Sequence, residues 1–356
     1  NARTVKDSFP LPRIEETFDV LHGAKYFCTL DLQLGYNQIS IKEEHKPYTA
    51  FSAGSLGFYE HNKMGFGLCN SPSTFQRAML SCLDGLHMKE CLIFIDDILV
   101  FGRTFEECKE RLQRVLARLL KNGFKLKPPK CEFFLSEVKY LGHLITSDGV
   151  RPDPDKLAAV RDWPLPRCEA DVRSFVGFAS YYRRFVKGFS QIAKPLHDLL
   201  VGAPQKKGRT PKPSPSWHWD EPEQLAFDAL KEKLTSEPVV LGFPDFSAGG
   251  FEVHTDASAE GLGAVLYQRC EGGRRVISYA SRGLSASERN YPAHKLEFLA
   301  LKWALTEKFH DYLYNQAEFE VRTDNNPLTY VTTSAKLDAT GHRWLQALGS
   351  YNFKIL

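Results

Sequence analysis

Short apolar runs and longer helical repeats alternate along the chain. Lys25 to Leu30, Leu92 to Ile95 and Ile98 to Phe101 are rich in branched or aromatic residues, which predicts three strands of one sheet. Ser71-Pro72-Ser73 predicts a capped helix running to about Leu83, stopped by Gly85. Thr104 and Glu107 form a capping-box pattern ahead of Phe105, Cys108, Leu112, Val115, Leu116, Leu119 and Leu120, a repeat of three and four that predicts a helix ending at Gly123.

Val138 to Ile145 alternates weakly and reads as a strand, and Asp153-Pro154 opens a helical stretch through Trp163 and again from Glu169 to about Leu200. Val201 to Ser216 is Pro, Gly, Lys and Ser with almost no apolar residue, which reads as a linker. Beyond it, Pro222 to Leu234 reads as a helix. From about Gly250 the order becomes strand, strand, strand, helix, strand, helix: Phe251 to His254, Leu262 to Gln268, Arg275 to Tyr279, Ala293 to Phe309, Phe319 to Arg322, then two helical pieces. The expectation is an α+β, multi-domain chain.

A length of 356 residues exceeds one ordinary core, and no apolar run approaches the roughly 18 residues of a membrane helix. Both ends read as cuts, since no leader is visible and Tyr351 to Leu356 is strand-like. The eight cysteines (Cys28, Cys69, Cys82, Cys91, Cys108, Cys131, Cys168 and Cys270) lack zinc spacing and read as reduced thiols of an intracellular protein. The net charge of +3 is too small to imply nucleic acid by itself, but basic residues dominate between Arg103 and Lys130, and Lys206, Lys207, Arg209 and Lys212 have no acidic neighbour.

The strongest chemical signal is Asp96-Asp97, read as the two-residue connection between two apolar strands, where Asn-Gly or Asp-Gly is the favoured choice. Two unit charges about 4 Å apart repel by roughly 4 kcal/mol at an effective dielectric of about 20, so a cation would relieve the pair. Asp31 ends the first strand. Beside the Asp96-Asp97 turn it would complete an oxygen-ligand set suited to hard cations, and two such ions can drive nucleotidyl transfer.

These residues resemble the reverse transcriptase and ribonuclease H region of gypsy-type (Metaviridae) long-terminal-repeat retrotransposon polyproteins. The likeness rests on Phe94-Ile95-Asp96-Asp97, Leu30 to Tyr36, Phe66-Gly67-Leu68, Ser71 to Gln76, Lys130 to Phe133, Tyr140 to His143 and Ser174 to Phe185, in order along nearly the whole chain. It implies a right-hand polymerase with palm and partial fingers over 1–150, thumb or connection helices over 151–200, a linker and leading helix over 201–248, and a truncated ribonuclease H-like α/β domain over 249–356. By the same resemblance, Asp31, Asp96 and Asp97 are catalytic metal ligands for magnesium, with manganese the alternative ion. Leu32, Tyr36 and Phe66 line the nucleotide pocket, Tyr36 excluding a 2′-hydroxyl, and Leu141 and Gly142 fall in the strand that grips the primer. Two departures stand out: Phe94 occupies the usual tyrosine position and Gly65 replaces the usual proline. The family's basic fingers strands belong before Asn1.

Asp256, Glu297 and Asp324, on strand, helix and strand, resemble the ribonuclease H series of catalytic metal ligands, with water attacking the RNA strand of a hybrid. The fourth aspartate of that series falls beyond Leu356, and Asp338 is a poor substitute. Arg173, Arg183, Arg184 and Lys187 are expected to follow phosphates. The implied partners are an RNA template, a DNA primer, an RNA/DNA hybrid and deoxynucleoside triphosphates. A homodimer is compatible with the family, and the implied location is a cytoplasmic particle or the nucleus, without a membrane. The competing reading is a domesticated, inactive nucleic-acid-binding derivative, against which the six intact acidic residues argue.

Overall fold

The computed structural model describes residues 1–201, 217–236, 239–323 and 338–356, and the chain divides into two compact units, Asn1–Asp148 and Gly149–Leu356.

In the first unit, β1 (Tyr26–Asp31) is central in a four-stranded antiparallel sheet. A helix α1 (Ser71–Cys82) leads to β2 (Cys91–Phe94) and β3 (Asp97–Gly102), which are followed by α2 (Phe105–Lys121) and β4 (Glu132–Leu135). The order across the sheet is β2-β3-β1-β4. Alternation dictates the packing: Cys28 and Leu30 of β1 and Ile98 and Val100 of β3 share a core with Phe75 and Met79 of α1 and Leu112, Val115 and Leu119 of α2. Each fully buried large side chain contributes roughly 1.5–3 kcal/mol. Gly102 is required where β3 meets α2, since a Cβ there would lie 2.6 Å from the Cys108 backbone nitrogen. Thr104 caps α2 by accepting the Glu107 N–H at 3.2 Å, while the Glu107 carboxylate reaches back to the Arg103 N–H at 2.7 Å, one residue beyond the expected capping-box partner.

Two expectations are corrected here. Phe94 pairs with Asp97, so the two-residue turn is Ile95-Asp96, and Asp97 is the first residue of β3 rather than part of the turn. Val138 to Ile145 is a hairpin, not one strand: β5 (Glu137–Tyr140) pairs with β6 (His143–Thr146) around Leu141 and Gly142, both at positive φ (48° and 70°), as a tight hairpin turn requires.

The second unit begins with helices α3 (Pro154–Arg161), α4 (Glu169–Tyr181), α5 (Phe189–Ile192) and α6 (Lys194–Asp198), later joined by α7 (Glu221–Thr235). The expected continuous helix from Glu169 to Leu200 is broken because Val186 is extended and Gly188 is left-handed at φ 70°. Phe175 of α4 packs against Phe227 of α7 with ring centroids 4.5 Å apart. The linker reading of Val201 to Ser216 falls, from residue 202 onward, outside the described residues, as do Lys206, Lys207, Arg209 and Lys212. Gly149 (φ 145°) and Val150 lie against Leu241: Val150 and Leu241 exchange backbone hydrogen bonds of 2.8 and 2.9 Å, and a Cβ on Gly149 would meet the Leu241 carbonyl oxygen at 2.1 Å.

The sheet of this unit contains β7 (Phe251–Ala257), β8 (Gly261–Cys270), β9 (Gly273–Gly283), β10 (Phe319–Arg322) and β11 (Phe353–Ile355) in the order β9-β8-β7-β10-β11. The first three are antiparallel meander strands, and β7-β10 and β10-β11 are parallel pairs. Alternate residues Phe251, Val253, Leu262, Ala264 and Leu266 share a core with α8 (Ala293–Trp303) and α9 (Ala339–Leu348). The helix expected to reach Phe309 widens after Trp303 into a π turn over Ala304–Lys308.

Candidate active sites

Asp31 and Asp97 are cross-strand partners at the matching ends of β1 and β3, with Asp96 adjacent on the turn. Directly opposed residues hold their Cβ atoms about 4.5–5.5 Å apart, so the two acids share one end of the sheet. Burial pushes Asp97 up to about 6, the Asp96 and Asp31 carboxylates add to the rise, and Lys130 opposes it. Asp97 keeps solvent contact at its exposed edge, where the negative charges of Asp96 and Asp31 act on it. Lys130 Nζ lies 3.3 Å from Asp31 Oδ2, a solvent-exposed pair of modest strength. A cleft of about 350 Å³ opens here, lined by Asp31, Asp97, Lys130, Glu132, Lys139 and Leu141.

The turn is held by a residue that pattern reading passed over. Gln76, fully buried on α1, accepts the Ile95 N–H at 2.6 Å and donates to the Ile93 carbonyl at 3.3 Å. Ile95 needs this support, since a β-branched residue at φ 55° is strained. The signal was available: Gln76 is a polar residue on the helical stripe otherwise marked by Phe75, Met79 and Cys82. Tyr140 was also missed; it is buried beneath the cleft, its hydroxyl 3.4 Å from the Asp97 carbonyl oxygen.

Tyr36 packs edge-on against Phe66 and Phe75, with centroids 5.3 and 5.4 Å away, and burial followed by the Asp96 charge raises its hydroxyl pKa. Gly35 permits this approach, because a Cβ there would meet the Phe75 ring at 3.1 Å and Asp96 Cβ at 3.3 Å. Phe66 is 77% exposed, open to a ligand. Leu32, by contrast, is buried with the core, so its side chain does not line the expected pocket. Leu141 and Gly142 occupy a turn rather than a strand, though Leu141 does face the carboxylate cleft.

In the second unit Asp256 stands exposed near the end of β7, opposite Gly263. Glu297 is buried on α8, the helix that covers β7. Asp324 follows Thr323 at the end of β10 and lies outside the described residues. Asp338 caps α9, accepting the Gly341 N–H at 2.7 Å, and pairs with Lys295 at 2.7 Å, a structural role that removes it as a stand-in for the fourth carboxylate.

Glu252, on the same face of β7 as His254 and Asp256, is fully buried yet charged. Burial alone would push its pKa up, but hydrogen bonds from His254 and Arg274 and the charges of Arg322 and Arg274 prevail and lower it. Arg322 Nε lies 2.9 Å from Glu252, tying β10 to β7 beside the expected carboxylates. A groove of about 420 Å³ runs along this face past Asp256, His254, Tyr267, Arg322, Lys187 and Gln191.

Arg184 does not face outward to phosphates as expected, whereas Arg183 remains solvent-exposed. Arg183 donates to the Ser281 carbonyl at 2.6 Å, and Arg184 is buried with a contact to the Ile277 carbonyl, so both anchor helical residues to β9.

Among the described residues, the one group of three acid or histidine side chains whose ligand atoms all fall within 4.8 Å of one another is His218, Asp220 and Glu223. Asp220 and Glu223 form the reciprocal cap of α7, which accounts for that cluster. Asp31, Asp96 and Asp97 are spread more widely, yet they fit hard cations in their chemistry: all are carboxylate donors, and their mutual repulsion is what a cation would relieve.

A family model described as reverse transcriptase (RNA-dependent DNA polymerase) matches residues 1–145, and one described as an RNase H-like domain found in reverse transcriptase matches 247–351. The chain is 37% identical over 355 residues to the retrovirus-related Pol polyprotein from transposon gypsy and 38% identical to that from transposon 297, both of Drosophila melanogaster. Each alignment covers 100% of this chain and about one third (34% and 32%) of the relative. In fold it resembles the foamy viral protease-reverse transcriptase dRH in complex with double-stranded DNA (TM-score 0.83, 22% identity, 100% of this chain, 61% of that one). It also resembles the foamy viral protease-reverse transcriptase with RNA/DNA hybrid (TM-score 0.77, 22% identity, 99% and 46%).

Proposed function

Since the chain belongs to the reverse transcriptase and ribonuclease H region of gypsy-type long-terminal-repeat retrotransposon polyproteins, we propose that it copies RNA and DNA templates into DNA through its first unit and cuts the RNA of RNA/DNA hybrids through its second. The observation that carries the polymerase reading is the register of β1 against β3, which sets Asp31 opposite Asp97 with Asp96 beside them. These three would hold divalent ions, magnesium by preference and manganese as the alternative, and such ions when bound activate the attacking hydroxyl and neutralise charge on the phosphates.

The chain's own groups do the rest. Gln76 fixes the turn, and Lys130 balances Asp31. The Tyr36 ring, backed by Phe66 and Phe75, underlies the incoming sugar and excludes a 2′-hydroxyl. Leu141 and Gly142 reach the primer end from the turn beside the cleft. In the second unit Asp256, Glu297 and Asp324 would form the hydrolytic set. Template, primer, hybrid and deoxynucleoside triphosphates are the partners of this reading, and a homodimer is compatible with it. No helix among the described residues is long and apolar enough to cross a membrane, and a cytoplasmic particle or the nucleus suits this chemistry.

The test is magnesium-dependent extension of a DNA primer on an RNA template by this region expressed with its flanking polyprotein sequence, compared with Asp97→Asn. A loss of about 10²–10³-fold is expected from removing a group that acts in the transition state. Equal extension by the two proteins refutes the proposal. A domesticated, inactive derivative would give no extension by either, while retaining nucleic-acid binding.

A further inference from the structure

The groove on the outer face of the second unit's sheet has one wall that does not come from the sheet. Lys187 and Gln191 supply it, from the short helix α5 and the turn before it. That wall is fixed in place. The Ser190 N–H donates to Ser281 Oγ at 2.9 Å, Arg183 holds the Ser281 carbonyl at 2.6 Å, and Lys194 pairs with Glu260 at 3.4 Å, across the turn between β7 and β8.

Glycine keeps the floor opposite Gln191 open. Cβ atoms on Gly261 and Gly263 would lie 3.5 and 4.0 Å from Gln191 Nε2, and Gly263 is the cross-strand partner of Asp256. The Gln191 amide therefore sits beside the strand end that carries the first hydrolytic carboxylate, and its Oε1 is buried without a hydrogen-bond partner. An amide so placed lacks a ligand for at least one of its ends. Its terminal torsion is nearly two-fold, so a half-turn presents either donor or acceptor to the groove. Lys187, exposed at the rim, adds a positive charge.

A phosphodiester backbone supplies anionic oxygens for Lys187. Only ribose adds a hydroxyl, both donor and acceptor, that can answer either end of an amide; deoxyribose offers no donor. We propose that this groove holds the RNA strand of a hybrid, with Lys187 on a phosphate and Gln191 on a ribose 2′-hydroxyl. The helical segment thereby contributes strand discrimination to the neighbouring hydrolytic site. The inference rests on the ribonuclease H reading of the second unit but is tested separately from it.

The full chain carrying Gln191→Cys is mixed with RNA/DNA hybrids whose RNA strand bears a thiol tether, protected as a mixed disulfide, at successive 2′ positions. Lys187→Cys, at an exposed site where no packing is lost, is the second trapping variant, and the unsubstituted chain controls for Cys270. Trapping is expected at one or two adjacent positions, about tenfold or more above the yield when the tether is on the DNA strand, because the thiols are held at high effective concentration. Lys187→Ala should also lower the slope of log affinity against log salt by about 0.9, one phosphate contact. No adduct at any position from either variant, or equal yield from both strands, overturns the proposal, as does an unchanged salt slope for the Lys187 contact. Hybrid cleavage in magnesium is scored in parallel. Trapping without cleavage removes the ribonuclease reading and leaves the strand contact standing, whereas cleavage without trapping does the reverse.

Discussion

Gln76→Leu removes both ends of the amide clamp on the Asp96 turn while nearly preserving side-chain size. The Ile95 N–H loses an acceptor at 2.6 Å, which costs about 1–3 kcal/mol for a partly buried donor. The 3.3 Å bond to the Ile93 carbonyl is longer and contributes less. Ile95 at φ 55° stores about 1–2 kcal/mol of left-handed strain, which the clamp holds in place. The first unit should therefore lose about 2–3 kcal/mol, and the loss should be about 1 kcal/mol smaller in an Ile95→Gly background, where that conformation is unstrained. All five tryptophans lie beyond residue 148, so tryptophan fluorescence follows the second unit alone, while far-ultraviolet circular dichroism follows both. In urea the dichroism transition should move and the fluorescence transition should not. Additive effects of the two substitutions, within about 0.5 kcal/mol, would show that Gln76 and Ile95 are not coupled and that the clamp is not what shapes the turn.

Tyr36→Ala should raise ribonucleotide incorporation by about an order of magnitude in primer extension, because the ring supported by Phe66 and Phe75 is gone; unchanged discrimination would remove that role. Glu288 is held at about 2, first by its Arg282 partner at 2.8 and 2.9 Å. A depressed carboxylate stabilises the fold above its ordinary value and loses that contribution as pH falls toward 2. Glu288→Gln should thus cost about 2 kcal/mol at pH 7, allowing for solvent screening, and almost nothing near pH 2, read from tryptophan-monitored urea midpoints across that range. Gly149→Ala should destabilise the second unit by more than about 2 kcal/mol, through the clash with the Leu241 carbonyl and the loss of a favourable left-handed glycine; an unchanged fluorescence midpoint would contradict this.

The strands bearing Asp31 and Asp97 were legible because apolar runs bounded by aspartate admit few other placements, and the register then brought Asp31 to Asp97. The identity of the turn residues was not legible. Shifting the turn by one residue leaves the same apolar string on either side, and nothing local announces that an isoleucine will accept φ 55°, because the compensating bond comes from Gln76 on another element. Leu141 was misplaced for the same reason, since leucine is a poor marker of a left-handed turn. Arg184 looks like surface charge until a carbonyl more than 90 residues away, that of Ile277, comes into reach, and nothing local tells that exposed Arg183 will hold the Ser281 carbonyl. The apolar character of Leu32 marks its side chain for the core, where the structure has it. In the second unit the strand and helix order was readable, but the Glu252 cluster of long-range ion pairs was not, as its arginines come from three different segments.

The paired backbone of Val150 and Leu241 has an architectural consequence. The described helices between them leave from and return to a single bridge, whose two feet stand side by side. Such an excursion can lengthen, shrink or be exchanged between relatives without moving the sheet that follows, much as an inserted domain does. Among the described residues, the contacts that touch the sheet, chiefly those around Ser281, would have to be kept.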